Sequence, residues 1–97
     1  MPKYACRVDA NQSLVVGQCR AVPGWSVAVL SSQGEGIPDI LLGALGRNYL
    51  FELKDPKQVA SKRVLTGPQV KFHGGWMGQV NKVETFEEIL AIVMGDE

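Results

Sequence analysis

The sequence predicts a single α/β domain in which a mixed four-stranded sheet is flanked by helices. The chain has 97 residues, fewer than the ~150 that serve as a prior for one domain. Hydrophobic residues make up 45% and charged residues 21%, near the averages for soluble globular domains, so disorder, collagen and coiled coil are disfavoured. Apolar runs of strand and helix character follow each other in the order α-β-β-β-α-β-α, which is typical of a sheet covered by helices.

The first helix and the first strand are predicted in the N-terminal third of the chain. Residues 9–21 start with Asp9, an N-cap candidate, and carry apolar side chains at helical spacing, with a stop signal at Pro23. Residues 25–30 are rich in valine and lie between Pro-Gly and Ser-Ser-Gln-Gly, so they predict a strand.

The next two apolar runs predict a β-hairpin. Residues 38–43 and 49–54 are separated by a short connection that contains Gly46. A turn near Leu45-Gly46 sets the register, and that register places Asp39 opposite Glu52 across the hairpin.

The second half of the chain predicts a basic loop, two helices and one strand. Residues 55–65 contain Pro56 and no apolar period, so they form the loop. Thr66-Gly67-Pro68-Gln69 has the form of a capping box with proline in the first turn, and it opens a helix through about Gly74. Residues 78–84 alternate weakly and predict a fourth strand. A second capping box at Thr85 opens the last helix.

Charge and composition narrow the classes of function. Ten basic and ten acidic residues give a net charge of zero, so binding to a polyanion would depend on local patches. The apolar runs are far shorter than the ~18 to 20 residues that span a bilayer, and no secretory signal is visible, so we expect an intracellular, cytoplasmic protein. Cys6 and Cys19 lack metal-ligand spacing and are expected to be free thiols.

Three charged residues are predicted to converge at one end of the hairpin. Because side chains alternate along a strand, Lys54 shares the sheet face of Glu52, and Asp39 lies opposite. Two facing carboxylates repel each other unless one is protonated or a cation lies between them. Oxygen ligands of this kind suit Mg²⁺ or Mn²⁺, and such a site supports phosphodiester hydrolysis, with the lysine orienting water or stabilising charge. The alternative is a strand-entry Pro-Asp pair and an exposed strand whose charges face water.

The motif formed by Pro38-Asp39 and Glu52-Leu53-Lys54 resembles the signature of the PD-(D/E)XK nuclease superfamily. More narrowly, the chain is similar to small stand-alone VRR-NUC nucleases of bacteria and their phages, whose architecture is similar to that of Holliday junction resolvases. The matching stretches are residues 7–11, 34–43, 52–55 and 65–69.

The resemblance implies a restriction-endonuclease-like αβββαβ core and a defined set of site residues. Asp39 and Glu52 would bind Mg²⁺ or Mn²⁺ together with the backbone carbonyl of Leu53. Lys54 would be the catalytic lysine, and Gln69 matches a glutamine beside the active site. Family members often supply a further acidic residue from the first helix.

Several of these residues have alternative explanations that the sequence leaves open. Asp9 is the nearest candidate for the further acidic ligand, but it is explained equally well as a helix N-cap. Gln69 occupies the N3 position of a capping box, where glutamine is favoured for local reasons. The residues that could contact phosphates of DNA, or simply face solvent, are Lys57, Lys62, Arg63 and His73.

The expected function is a metal-dependent endonuclease that hydrolyses DNA phosphodiester bonds. No recognition helix is apparent, so branched DNA such as a Holliday junction is expected to be preferred over a base sequence. The small core of a chain this short favours a homodimer. The alternatives are a catalytically inactive DNA-binding or interaction module of the same fold, and an exonuclease that acts on DNA ends.

Overall fold

A computed structural model describes residues 10–95 and has the expected mixed α/β architecture, with a four-stranded mixed sheet flanked by helices. The helices are α1 (Ala10–Arg20), α2 (Gly67–Gly75) and α3 (Phe86–Gly95), the strands are β1 (Ser26–Val29), β2 (Ile40–Ala44), β3 (Arg47–Leu53) and β4 (Asn81–Val83), and two 3₁₀ turns cover Ser31–Gln33 and Ala60–Lys62. No helix in the described range is long and apolar enough to cross a membrane.

The strands lie in the order β1-β2-β3-β4. Strand β2 is antiparallel to both β1 and β3. Strand β4 runs parallel to β3, after a crossover that contains α2. The strand predicted over residues 78–84 is shorter in the structure because Gln79 contacts β3 through its side chain. Its amide accepts a hydrogen bond from the Leu50 N–H at 2.7 Å and donates one to the Leu50 carbonyl at 2.9 Å.

The β2-β3 hairpin has the predicted register. Ile40 lies opposite Phe51, and Ala44 lies opposite Arg47, so the next position along the ladder brings Asp39 to Glu52. The turn lies at Leu45-Gly46 as expected, and the strands stay paired up to it, because only these two residues lie between Ala44 and Arg47. The φ angles of Leu45 and Gly46 are 56° and 78°, and two positive φ values are the requirement of a type I′ turn.

Leu45 is an unfavourable residue for this turn, and we predict that Leu45→Asn stabilises the chain. Leucine loses about 1 kcal/mol in the left-handed region, asparagine tolerates it, and the Leu45 side chain is 67% exposed and so buries little surface. A gain of about 1 kcal/mol would raise the melting temperature by roughly 4 to 8 °C for a domain of this size. Thermal unfolding monitored by circular dichroism measures the change. Leu14→Asn is the matched control, because Leu14 is exposed within α1 and should lose helix propensity instead.

The hydrophobic core lies on one face of the sheet, between the strands and the helices α1 and α3. Alternate residues of β2 and β3 point into it, and the core residues are Val15, Val16, Cys19, Ile40, Leu42, Ala44, Tyr49, Phe51, Leu53, Val83, Ile89 and Val93. Cys19 is a buried free thiol, as expected, and burial raises its pKa to about 11. Leu14 is 59% exposed, because it lies off the buried face of α1, which is formed by Gln12, Val15, Val16 and Cys19.

The opposite face of the sheet carries the charged residues of the hairpin and is approached by α2. No residue of this helix is fully buried, and polar contacts attach it to the sheet. A close backbone approach also holds its N-terminus, because Gly36 lies against the Pro68 carbonyl and a Cβ atom at Gly36 would overlap it. Gly36 has a φ of 78°, which glycine adopts without strain. The loop of residues 34–36 thereby fixes the start of α2 beside the hairpin.

Candidate functional site

A cleft of about 320 Å³ lies at the end of the β2-β3 hairpin that is remote from the turn. It contains the two carboxylates and the lysine that the sequence singled out. The lining residues are Gln12, Asp39, Glu52, Leu53, Lys54, Asp55, Gln58 and Lys62. A larger cavity of about 680 Å³ lies against α2 and is lined by Glu35, Gly67, Pro68, Val70, Lys71 and Phe72. The smaller cleft is the better site candidate, because paired acidic residues and a lysine meet there.

Asp39 is held at the entry of β2 by hydrogen bonds to its main-chain carbonyl and to both oxygens of its side chain. Its carbonyl accepts a hydrogen bond from the Leu30 N–H at 2.7 Å, which extends the β1-β2 pairing. Oδ2 accepts one from the Leu53 N–H at 2.8 Å, and Oδ1 accepts one from the Ser31 hydroxyl at 3.3 Å. The carboxylate therefore crosses the gap between the strands and contacts β3 directly.

Glu52 is a buried acidic residue with an incomplete set of hydrogen bonds. Its residue surface is 3% exposed, and Oε2 accepts a hydrogen bond from Gln69 Nε2 at 2.9 Å. Oε1 is buried without a hydrogen-bond donor. Burial, and then the facing Asp39 carboxylate, raise the pKa of Glu52 to about 8, while Lys54 opposes that shift. A proton or a cation near Oε1 would relieve both the repulsion and the missing contact.

Lys54 follows β3 directly, and its main chain and side chain are both anchored. The N–H donates to the Val83 carbonyl at 2.9 Å, and the carbonyl accepts from Asn11 Nδ2 at 3.1 Å. The ammonium donates to Gln69 Oε1 at 2.9 Å and lies 3.8 Å from Glu52 Oε2. Because an ammonium has three donors, these two neighbours leave it capacity for a contact with a bound anion.

Gln69 combines the two roles that the sequence left as alternatives. Its Oε1 accepts a hydrogen bond from the Thr66 N–H at 2.8 Å, which is the reach-back contact of a capping box. The same oxygen accepts from Lys54, and Nε2 donates to Glu52. The local capping contact therefore presets the orientation in which the amide bridges the acid and the lysine.

The phosphate-contact candidates have different surroundings. Lys62 lines the cleft and Lys57 is exposed outside the lining set. Arg63 lies 3.6 Å from Glu84 in an ion pair, and its carbonyl accepts a hydrogen bond from Lys82. The ion pair competes with any phosphate for the Arg63 guanidinium.

His73 lies one helical turn after Gln69 on the same side of α2. Its Nε2 is buried without a hydrogen-bond partner. Burial lowers the pKa of His73, and the charge of Lys54 lowers it further. Asp9, the candidate ligand from the first helix, lies outside the described residues.

The oxygen atoms that line the cleft fit a hard divalent cation that takes only some of its ligands from the protein. Within residues 10–95, no group of three or more His, Cys, Asp or Glu side chains is clustered as a full metal cage. The cleft instead offers the facing carboxylates of Asp39 and Glu52 beside Leu53, whose carbonyl is the further ligand that the resemblance implies. Asp55 also lines the cleft, and its Oδ1 accepts a hydrogen bond from the Lys57 N–H at 2.9 Å. Mg²⁺ commonly keeps several waters and takes few protein carboxylates together with substrate phosphate oxygens. The orphaned Glu52 Oε1 is the feature that such an ion would satisfy.

Two polar residues behind Asp39 were not identified from the sequence. Gln12 and Ser31 approach the cleft from α1 and from the first 3₁₀ turn, and Gln12 Nε2 donates to the Ser31 hydroxyl at 2.7 Å. A signal for Gln12 was present, because it precedes Val15, Val16 and Cys19 at the spacing of one helix face. A polar residue in an otherwise apolar face is a candidate for a buried contact. Ser31 gave no comparable signal.

Comparison with known proteins adds no relative from which a role could be transferred. No family model, curated protein or solved structure matches the chain.

Proposed function

We propose that the chain is a metal-dependent DNA endonuclease of the PD-(D/E)XK superfamily, of VRR-NUC type with a restriction-endonuclease-like core. One observation carries the proposal. A buried glutamate with an orphaned oxygen faces an aspartate across two strands, and a lysine lies on the same face. This arrangement is costly for folding alone, because the buried Glu52 must either keep a proton well above its usual pKa or place a second negative charge beside Asp39 out of water. Costly clusters of this kind are candidates for functional sites.

Asp39, Glu52 and the Leu53 carbonyl would hold the Mg²⁺ or Mn²⁺ ion. When bound, the ion polarises the phosphoryl group and lowers the pKa of a coordinated water. Asp39 presents its carboxylate from a fixed position, since each oxygen already has one protein donor. Glu52 would supply the second carboxylate, on the strand opposite Asp39. Its Oε2 accepts a hydrogen bond from Gln69 Nε2 at 2.9 Å.

Lys54 is the group that assists the reaction at the phosphate. Its ammonium would bind a non-bridging phosphate oxygen and stabilise the negative charge that grows there as water attacks phosphorus. Gln69 keeps the Lys54 ammonium from forming a direct hydrogen bond with Glu52. Lys54 Nζ lies 2.9 Å from Gln69 Oε1 but 3.8 Å from Glu52 Oε2. Gln69 therefore acts as a positioning residue that separates acid and lysine.

DNA is the proposed substrate, and the basic residues beyond the site favour contacts with its backbone. Lys62 at the cleft and the exposed Lys57 lie on the segment that follows Lys54. Such lysines neutralise phosphates without reading bases. We extend the proposal to branched DNA as the preferred substrate and to a homodimer, in which two sites would act on opposite strands.

The proposal predicts cleavage that requires a divalent cation. The purified protein is incubated with end-labelled four-way junction, flap and linear duplex DNA in Mg²⁺, in Mn²⁺ and in EDTA. We expect internal cuts in the metal-containing reactions and none in EDTA, with the junction cut fastest. Uniform cutting of all three DNAs would remove the junction preference, and products shortened only from the ends would indicate an exonuclease. Binding to the junction without any cleavage would instead support the inactive module.

A further inference from the structure

We infer that Gln12 and Ser31 form a positioning relay that fixes the orientation of the Asp39 carboxylate for its cation. The inference rests on the proposed function and deepens it, because it adds two residues to the site formed by Asp39, Glu52, Lys54 and Gln69. The relay joins three separate elements of the fold. Gln12 belongs to α1, Ser31 begins the 3₁₀ turn after β1, and Asp39 precedes β2.

The hydrogen bonds of the relay run in one direction. Gln12 Nε2 donates to Ser31 Oγ at 2.7 Å, and Ser31 Oγ donates to Asp39 Oδ1 at 3.3 Å. The amide nitrogen can only donate, so the serine oxygen accepts and its single proton turns to the carboxylate. If the Gln12 amide were flipped, its Oε1 would face Ser31 and accept the hydroxyl proton. The oxygens of Ser31 and Asp39 would then lie in contact with no hydrogen between them. The glutamine thus determines which way the serine points.

The second oxygen of Asp39 is fixed from the other side. Oδ2 accepts the Leu53 N–H at 2.8 Å, so donors from two different elements hold the two ends of one carboxylate. These two hydrogen bonds restrain rotation of the carboxylate about its terminal bond. Each carboxylate oxygen has room for a second contact, so the relay leaves both available to a cation in the cleft.

The first residue of the relay, Gln12, is buried beside the cleft. Gln12 is 5% exposed, lines the cleft and lies in the apolar face of α1. Buried polar groups are retained where their hydrogen bonds are made. Residues that orient metal ligands through hydrogen bonds commonly change metal affinity or activity by 10- to 100-fold when they are removed.

The test compares Ser31→Ala, Ser31→Thr and Ser32→Ala by calorimetric titration with Mn²⁺ and by DNA cleavage. We expect Ser31→Ala to weaken Mn²⁺ binding by roughly 10-fold or more, with a melting temperature close to that of the wild type. Ser31→Thr keeps the hydroxyl and should restore the affinity. Ser32 is the matched control, because it lies exposed in the same 3₁₀ turn. Gln12→Met removes the first donor with little change of volume and should lower the affinity in the same direction.

The outcomes separate the relay from the proposed function. Wild-type Mn²⁺ affinity and cleavage in Ser31→Ala, with the wild type itself binding Mn²⁺, would overturn the relay alone. An absence of Mn²⁺ binding in the wild type would overturn the proposed function and the relay together. Loss of affinity in Ser31→Thr equal to that in Ser31→Ala would show that packing, and not the hydroxyl, is responsible, and would also overturn the relay. The electron paramagnetic resonance spectrum of bound Mn²⁺ adds a readout that a purely structural role would leave unchanged.

Discussion

Glu52→Gln is expected to abolish DNA cleavage and, in EDTA at pH 8, to leave the chain at least as stable as the wild type. The amide is close in shape to the carboxyl group, and its oxygen can still accept the hydrogen bond from Gln69. Its NH₂ group can donate toward Asp39, which removes the repulsion between the facing carboxylates. The change also removes one charge from the proposed cation site. We expect a loss of cleavage of about a thousand-fold or more, in line with the removal of a principal electrostatic group.

The pH dependence of the free energy of unfolding provides a second, independent test of Glu52→Gln. Burial and Asp39 raise the pKa of Glu52 from 4.5 to about 8 in the folded chain. Between these values the folded state keeps a proton that the unfolded state has lost, so the free energy of unfolding falls as pH rises from about 4.5 to about 8. Below this window both states are protonated, and the contribution is fully present. Glu52→Gln has no such proton and should lack this part of the pH dependence.

Denaturant unfolding at a series of pH values, in EDTA and in Mg²⁺, measures both effects. The stability of the wild type in EDTA should decline across the window relative to that of Glu52→Gln, and Mg²⁺ should restore it near pH 8 by neutralising the carboxylates. Glu88→Gln is the control, because Glu88 is exposed and lies on α3. Parallel pH profiles for the wild type and Glu52→Gln would contradict the burial of an uncompensated acid, and full cleavage by Glu52→Gln would contradict its role in the site.

The hairpin shows how far the sequence could predict the site. The alternation of apolar residues along the two strands and one glycine at the turn were sufficient to predict how the strands pair. The same register predicted that Asp39 approaches Glu52. The shared face of Glu52 and Lys54 followed from the same alternation. These relations are local, because a tight hairpin fixes them within a few residues.

Contacts between distant segments were not predictable in the same way. The relay from Gln12 through Ser31 depends on how α1 packs against the sheet, and no local pattern encodes that distance. The sequence offered capping and function as alternatives for Gln69, whereas one side chain makes both sets of contacts because Gly36 lets the start of α2 approach closely. Arg63 looked like a free basic residue until the fold brought Glu84 beside it.

Lys54→Met is expected to reduce cleavage by roughly 100- to 1000-fold while leaving cation binding intact. Removal of one group that stabilises developing charge commonly costs this much, equivalent to about 2.7 to 4 kcal/mol of transition-state stabilisation. Methionine keeps an unbranched apolar stem in place of the lysine stem. The positive charge 3.8 Å from Glu52 Oε2 opposes a second cation in the cleft, so its removal should leave Mn²⁺ affinity unchanged or higher.

The separation of binding from cleavage distinguishes a reacting lysine from one that only neutralises Glu52. Single-turnover cleavage and calorimetric titration with Mn²⁺ are measured on Lys54→Met and on Lys71→Met, a control whose side chain is exposed on α2 and lines the other cavity. A lysine needed only to neutralise the acid would show altered folding or weaker cation binding together with the loss of cleavage. Retained cation affinity with cleavage lost assigns the ammonium to the phosphate, whereas cleavage within a few-fold of the wild type would exclude Lys54 from the reaction.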